Sequence, residues 1–394
     1  MSRIDELVAK LCPDGVEYRA LGEMLQYEQP GKYLVKSTNY DNTYQTPVLT
    51  AGKTFILGYT DETEGIYNAS KDEPVILLDD FTTANRWIDF PFKVKSSATK
   101  LLRCKDESRY SFKFLYYLMQ VNAYSPMEHS RQWISTFSKK AVPIPPLEIQ
   151  QEIVRVLDSF AELEAELEAE LEARKAQYAH YRDKLLEFTE RESVSWLKLG
   201  DVCASVCSGG TPNKSHAEYY EGGTIPWLRT QEVKYQDIYE VSGRITEAGL
   251  AGSSARWIPA DCVIVAISGA SAGRCAVNKI PVTTNQHCLN MVIDSNKALY
   301  RYVYHCICSK TEELLAKKEG ARGDLNASRI KSLEIPVPPL DEQRSIVEIL
   351  DRFDALTTSL TEGLPAEIEA RRQQYEHYRD RLLDFPRKEA HRTV

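Results

Sequence analysis

The segment Gln177–Phe188 reads QYAHYRDKLLEF, and Gln374–Phe385 reads QYEHYRDRLLDF, differing at three of twelve positions. The repeat extends beyond these strings. Val142–Leu167, VPIPPLEIQQEIVRVLDSFAELEAEL, matches Ile335–Leu360, IPVPPLDEQRSIVEILDRFDALTTSL, at 12 of 26 positions. Glu172–Phe188 matches Glu369–Phe385 at 12 of 17, and a four-residue insertion around Gly363–Ala366 interrupts the second copy. Each copy opens with prolines, which bar helix until they end. Apolar residues then follow at helical spacing: Ile149, Ile153, Val156, Phe160, Leu163, Leu167, Leu171, Tyr178, Tyr181 and Leu185 in the first copy. This stripe predicts one helix of about 40 residues, roughly 60 Å long. A stripe so long needs a cover of similar length, and the second copy is the natural one. Gly363 and Pro365 predict a break or kink in that second helix.

Between the repeats lie two stretches of similar size, Arg3–Ala141 and Val194–Glu334. They open alike, VEYRALGEM at Val16 and VSWLKLGDV at Val194, and then diverge. Both are rich in short β-branched and aromatic runs between Gly, Pro and Asn turns, and each ends in a short helix, near Phe112–Asn122 and Leu299–Leu315. The expected fold class is α+β: two β-rich globular domains joined by two long antiparallel helices, an internal pseudo-two-fold repeat. The expected segments are 1–141, 142–193, 194–334 and 335–394. Two domains also suit a chain of 394 residues. Constant helices holding diverged domains make a pseudo-dimer with unequal faces. Dimeric readers match the local two-fold symmetry of duplex DNA, so an unequal pair suits an asymmetric, interrupted site.

The net charge of −8 argues mildly against a nucleic-acid partner, but the charge is not evenly spread. Lys93–Lys140 holds ten Lys/Arg against three Asp/Glu, whereas residues 141–188 hold five against eleven. A basic block beside an acidic helix is a candidate surface for an anionic ligand. Nine cysteines at irregular spacing suit a reducing cytosol, so a cytoplasmic location is expected. No apolar run reaches the roughly 18 residues of a membrane span, and the opening MSRIDELVAKLCPDG reads as a short amphipathic helix without a secretion signal's apolar core.

PVLTAGKT at 47–54 misses the first glycine of a phosphate-binding loop and reads as a β-hairpin presenting Lys53. Asp79, Asp80, Asp89 and Lys93 match no metal-nuclease spacing and read as structural or surface groups. Cys203-x₃-Cys207 and His305-Cys306-x-Cys308 lack a second pair at zinc-ligand spacing and read as buried thiols. Both Pro-Pro pairs precede leucine, Leu147 and Leu340, where the amino-methyltransferase motif has an aromatic residue. No catalytic residue and no metal site is assigned.

The paired P-x-P-P-L…Q…I-V-x-x-L-D-x-F helices, the L-G-E/D openings and SGGTPNKSHAEYYEGGTIPWLR at 208–229 carry a resemblance. Over essentially its whole length the chain resembles the specificity (S) subunits of type I restriction–modification systems. Its AELEAELEAELE run at 161–172 is similar to the spacer repeats of the type IC branch. The resemblance implies two target recognition domains, each reading one half of a split site in double-stranded DNA. It also implies two modification subunits that bind S-adenosylmethionine and methylate adenine. Where the system restricts, motor/nuclease subunits using ATP with Mg join them. No cofactor is then expected on this chain, which is not itself an enzyme. Alternatives from other classes are a DNA-modifying enzyme with fused recognition domains, which the missing cofactor and Pro-Pro-aromatic motifs argue against, and a coiled-coil scaffold with two protein-binding domains.

Base reading requires polar side chains on loops that reach a groove. In the first domain the candidates are Lys53, Tyr59, Thr82, Thr83, Asn85, Arg86, Arg131, Gln132 and Trp133, with Lys32, Lys36, Lys93 and Lys95 for phosphate. In the second they are Thr211, Lys214, Arg229, Gln231, Ser268, Ser271, Arg274, Asn285 and Gln286, with Arg322 by its place ahead of the Pro-rich strand.

The AELE run is also a length element. Four helical residues add about 6 Å and a net turn of about 40°. One base pair adds about 3.4 Å and about 35° of twist. Deleting Ala165–Glu168 should therefore shorten the unread spacer by one base pair and leave both half-sites unchanged, as read by methylation-aware sequencing. An active deletion variant with the original spacer would refute the ruler.

Overall fold

The computed structural model describes residues 3–50, 54–124, 126, 130–188, 194–316, 325–359 and 363–388. The chain forms two compact units: the first is Met1–Ala165 with Ala370–Val394, the second Glu166–Glu369. The predicted long helix is the 39-residue Leu147–Leu185, the central helix, and the division between units falls inside its AELE run. The second copy is two return helices, Leu340–Thr358 and Leu364–Leu382. Gly363 stands at the break with φ +89°, and a Cβ there would meet the Leu356 and Ala355 carbonyl oxygens at 2.7 and 2.8 Å. Pro365 lies in the first turn of the next helix, where a missing N–H leaves no bond unmade. The compact units cut across the four segments expected from the repeat, because each β-rich body packs with a part of both helix copies.

The helix copies meet reciprocally. In the first unit Phe160 stacks on Tyr378 with ring centroids 5.6 Å apart and lies 6.4 Å from Tyr375. In the second, Phe353 stacks on Tyr181 at 5.7 Å and lies 6.3 Å from Tyr178. These are equivalent residues with the copies exchanged. An ion pair, Glu164–Arg372 at 2.5 Å, precedes the Phe160 contacts, so partner numbers rise as central-helix numbers fall and the packing is antiparallel. The early stripe residues Ile149 and Ile153, with Leu157, are fully buried in the first unit's core, and Leu186 and Phe188 enter that of the second.

The same joint fixes each body to its helices. Glu17–Ala20 pairs antiparallel with Ala141–Ile144, and Ser195–Lys198 pairs in the equivalent register with Glu334–Val337. After each Pro-Pro-Leu stands a buried glutamine. Gln150 donates from Nε2 to the Pro145 carbonyl at 2.8 Å and accepts the Ser111 N–H at 2.9 Å. Gln343 does the same with Pro338 and Leu299, at 2.8 and 2.9 Å. Ser111 and Leu299 are the N-cap residues of the buried helices Phe112–Val121 and Tyr300–Ser309. One amide therefore satisfies the proline turn and a helix start together, which explains why the motif needs Gln at that position.

In the first unit an antiparallel sheet runs in the order Leu25–Glu28, Thr99–Cys104, Val75–Asp79, Asn85–Ile88. Val75–Leu78 is fully buried, as an unbroken apolar strand should be. A smaller sheet joins Ile56–Thr60, Thr46–Leu49 and Lys93–Val94. The second unit has a five-stranded sheet, ordered Cys203–Ser208, Cys288–Ile293, Cys262–Ala266, Cys275–Asn278, Asp237–Ile238. Its four-stranded sheet runs Arg244–Ile245, Ile225–Leu228, Val282–Thr284, Trp257–Ile258. Among the described residues no helix is long and apolar enough to cross a membrane.

Replacing Gln343 by alanine should destabilise the second unit by about 1–3 kcal/mol for each backbone group left unpaired. The exposed Glu348→Ala serves as control in denaturant unfolding; equal losses would deny the clamp its role.

Candidate nucleic-acid interface

In the first unit the candidate loops are held by buried polar pins. Asp80 forms a fully buried ion pair with Lys100 at 3.0 Å and accepts the Trp133 N–H at 2.7 Å. Its carbonyl accepts the Gln132 N–H at 2.6 Å. Thr83, in the left-handed region at φ 55°, exchanges hydrogen bonds between its hydroxyl and the Tyr124 backbone at 2.7 and 2.8 Å. The Tyr124 hydroxyl donates to Gln132 Oε1 at 2.8 Å. The loops around 79–86 and 130–133 are thereby locked together, leaving Thr82, Arg86 and Arg131 exposed. The Arg86 guanidinium lies 5.6 Å from the Phe55 ring, at the hairpin carrying the half-buried Tyr59.

Five first-unit candidates are therefore corrected. Thr83, Asn85, Gln132 and Trp133 are buried and act as pins; Asn85 donates to the Thr83 carbonyl at 3.1 Å. Lys93, expected on phosphate, is 1% exposed and pairs with Glu62 at 2.8 Å, donating also to the Glu64 carbonyl at 2.5 Å. Glu62 further accepts the backbone N–H groups of Lys36 and Ser37, both at 2.8 Å. The Lys93 hydrogen bond leads in holding this carboxyl at about 2, against an ordinary 4.5, with those amides assisting and burial opposing. Two members of the basic block, Lys93 and Lys100, thus belong to the interior. Lys32, Lys36 and Lys95 are exposed; Lys32 pairs with Glu28 at 2.9 Å, and Lys95 lies 5.8 Å from the Tyr40 ring. Lys53 and Arg322 lie outside the described residues.

In the second unit parallel strands gather the site. Ile225–Leu228 pairs parallel with Val282–Thr284, Leu228 opposite Thr284, so Arg229 and Asn285 emerge at one end. The Asn285 N–H donates to the Leu228 carbonyl at 3.0 Å, and the Gly210 N–H to that of Thr284 at 2.9 Å. A Cβ on Gly209 would stand 2.0 Å from the Thr284 carbonyl oxygen, so only glycine passes there. Thr211 is then placed to donate its hydroxyl to Gln286 Oε1. Glu232 accepts the Arg229 N–H at 3.0 Å and the Ser242 N–H at 2.7 Å, and the Arg229 guanidinium donates to the Ser242 hydroxyl at 3.2 Å. Ile267, opening the loop with Ser268, Ser271 and Arg274, donates its N–H to the His287 carbonyl at 2.9 Å. Those three side chains are half-buried, whereas Lys214, Gln231 and Gln286 are exposed. Asn285 is corrected: it is buried, and its Oδ1 accepts the His287 N–H at 3.1 Å.

No motif marks His287, or the exposed Arg256 and Trp257, the latter opening the edge strand beside Val282–Thr284. An Arg-Trp pair ahead of a proline turn was the available signal. His305 lies in the interior, Nε2 2.8 Å from Asp351 and Nδ1 3.1 Å from the Tyr178 hydroxyl; burial holds this imidazole below its ordinary range despite Asp351.

The family model described as type I restriction modification DNA specificity domain matches residues 13–173 and 192–370. The type I restriction enzyme EcoR124I/EcoR124II specificity subunit of Escherichia coli is 46% identical over 404 aligned residues, covering 99% of both chains. A putative type I specificity subunit of Haemophilus influenzae is 31% identical, covering 69% of this chain and 72% of that one. In fold, the chain is similar to the S subunit of a type I system from M. genitalium, with TM-score 0.56 at 15% identity, covering 93% of this chain and 95% of that one. A structure addressing complex assembly and conformational transition of the type I system aligns with TM-score 0.60 at 14% identity, covering 95% and 98%.

Lys93→Ala should cost stability, toward the lower end of the roughly 3–5 kcal/mol for breaking a buried pair, and leave the salt dependence of DNA binding unchanged. Glu62 has a depressed folded pKa, so its contribution is complete above about 4.5 and fades as pH falls toward about 2. Acid unfolding of Lys93→Ala should lack that component. A lowered salt slope at wild-type stability would return Lys93 to the surface.

Proposed function

The chain belongs to the type I restriction–modification DNA specificity family, and from that premise we propose how it divides its work. It is the DNA sequence-recognition subunit of such a system. Each β-rich unit reads one half of a split, asymmetric site in double-stranded DNA. The observation carrying this reading is the contrast between reciprocal helix contacts, Phe160 on Tyr378 and Phe353 on Tyr181, and bodies that share only their joints. Equivalent joints hold two different surfaces on one frame.

The exposed polar residues divide by task. Arg131, Arg86 and Thr82 in the first unit, and Gln286 and Lys214 in the second, beside the half-buried Arg229, stand on loops where base edges are read. Lys32, Lys36 and Lys95 supply sequence-independent attraction to phosphate. Methyl transfer belongs to two modification subunits carrying S-adenosylmethionine, and restriction to motor subunits using ATP with Mg. This chain's role is to bind, orient and space them on DNA.

Exchanging Val194–Glu334 for the corresponding domain of another specificity subunit should change one half of the methylated motif and preserve the other. Methylation-aware sequencing of DNA from cells carrying the chimera and its modification subunit reads both halves at once. A change in both halves would overturn the division.

A further inference from the structure

Gln286 differs from the other exposed candidates because its amide is held from both ends. The Thr211 hydroxyl donates to Oε1, and His287 Nε2 lies 3.1 Å from Gln286 Nε2. Both neighbours are themselves anchored. Thr211 follows Gly209–Gly210, which the Thr284 carbonyl and the Trp227 indole N–H, donating to the Gly210 carbonyl at 3.0 Å, fix against the sheet. His287 is fixed by the buried Asn285 and by Ile267. An exposed side chain on strand ends, oriented by two hydrogen-bond partners, has the preorganisation that recognition needs.

The valences left over are informative. A glutamine amide has two acceptor lone pairs and two N–H donors. Thr211 takes one lone pair and His287 one N–H, so one acceptor and one donor remain on the same amide. Exchanging the amide oxygen and nitrogen leaves the same remainder, because a hydroxyl and an imidazole each serve either role. In the major groove only adenine presents a donor beside an acceptor, N6–H₂ and N7. Guanine offers two acceptors, cytosine a donor, and thymine an acceptor beside a methyl group.

We propose that Gln286, positioned by Thr211 and His287, reads the adenine of one A·T pair in the half-site bound by the second unit. The assignment rests on the DNA-recognition reading above and adds a base to it. Gln286 makes the base contact; Thr211 and His287 are positioning residues.

The test uses the complex assembled with its modification subunits and sequences the methylated motif. Gln286→Ala should relax one A·T position, losing about tenfold to a hundredfold of preference there, with the other half-site unchanged. Gln286→Glu, with two acceptors, should shift that position from adenine toward cytosine, whose N4–H₂ donates. Thr211→Val should relax the same position less than Gln286→Ala. Where methylation falls below detection, competition binding with duplexes varied one pair at a time gives the same ranking. An unchanged motif in the Gln286 variants, or an even loss across the half-site with base preference intact, overturns the assignment. A wild-type complex that methylates no split motif would instead sink the underlying reading.

Discussion

Phe160 on Tyr378 and Phe353 on Tyr181 are the contacts on which the remaining structure depends. A helix of 39 residues whose middle turns are largely Ala and Glu has little apolar surface of its own to bury. The large apolar side chains of the AELE run are Leu163, Leu167 and Leu171, one per four residues. Aromatic pairs contribute about 0.5–1.5 kcal/mol beyond the area they bury. Here two such clusters flank the leucine-poor stretch. Because each takes its phenylalanine from one copy and its tyrosines from the other, neither copy is covered alone.

From these clusters outward, the units repeat a scheme while changing its chemistry. Asp158 and Asp351 occupy equivalent turns. Asp158 accepts a hydrogen bond from the Tyr117 hydroxyl, whereas Asp351 meets His305 at 2.8 Å and Arg301 at 2.6 Å. Arg301 also pairs with Asp237 at 2.6 Å and Asp354 at 3.1 Å. At one position of one frame, a single phenol–carboxylate hydrogen bond in the first unit stands where the second has a network of acidic and basic side chains. The clamps of Gln150 and Gln343 did not diverge with it, since a helix start and a proline turn pose the same unpaired groups whatever the body contains.

The frame was legible because a repeat states itself: the stripe, the prolines and Gly363 each have one local meaning. Interface residues were harder, because polarity is local and burial is not. Lys93 reads like Lys95 until the fold brings Glu62 to it across the chain. Gln132 and Trp133 look like reading residues and are pins; Arg131 beside them remains exposed. Asn285 and Gln286 are adjacent amides, yet the strand end buries the first and releases the second. Arg256 and Trp257 have a local cue in the proline turn that follows them, but two residues of strand carry no alternation to mark an edge.

The first unit is completed by residues near the far end of the chain. The Val16 N–H donates to the Pro386 carbonyl and the Lys388 N–H to that of Val16, both at 2.9 Å, while the Tyr18 hydroxyl donates to Phe385 at 2.7 Å. Leu383 and Phe385 are buried in its core. The second unit, by contrast, is one contiguous stretch, Glu166–Glu369. On a ribosome, where chains emerge at about 5–20 residues per second and domains fold as units, the order of manufacture and the order of completion are therefore opposite. The body translated first must wait, with part of its core uncovered, until its neighbour has been made and the last helix has arrived to close it.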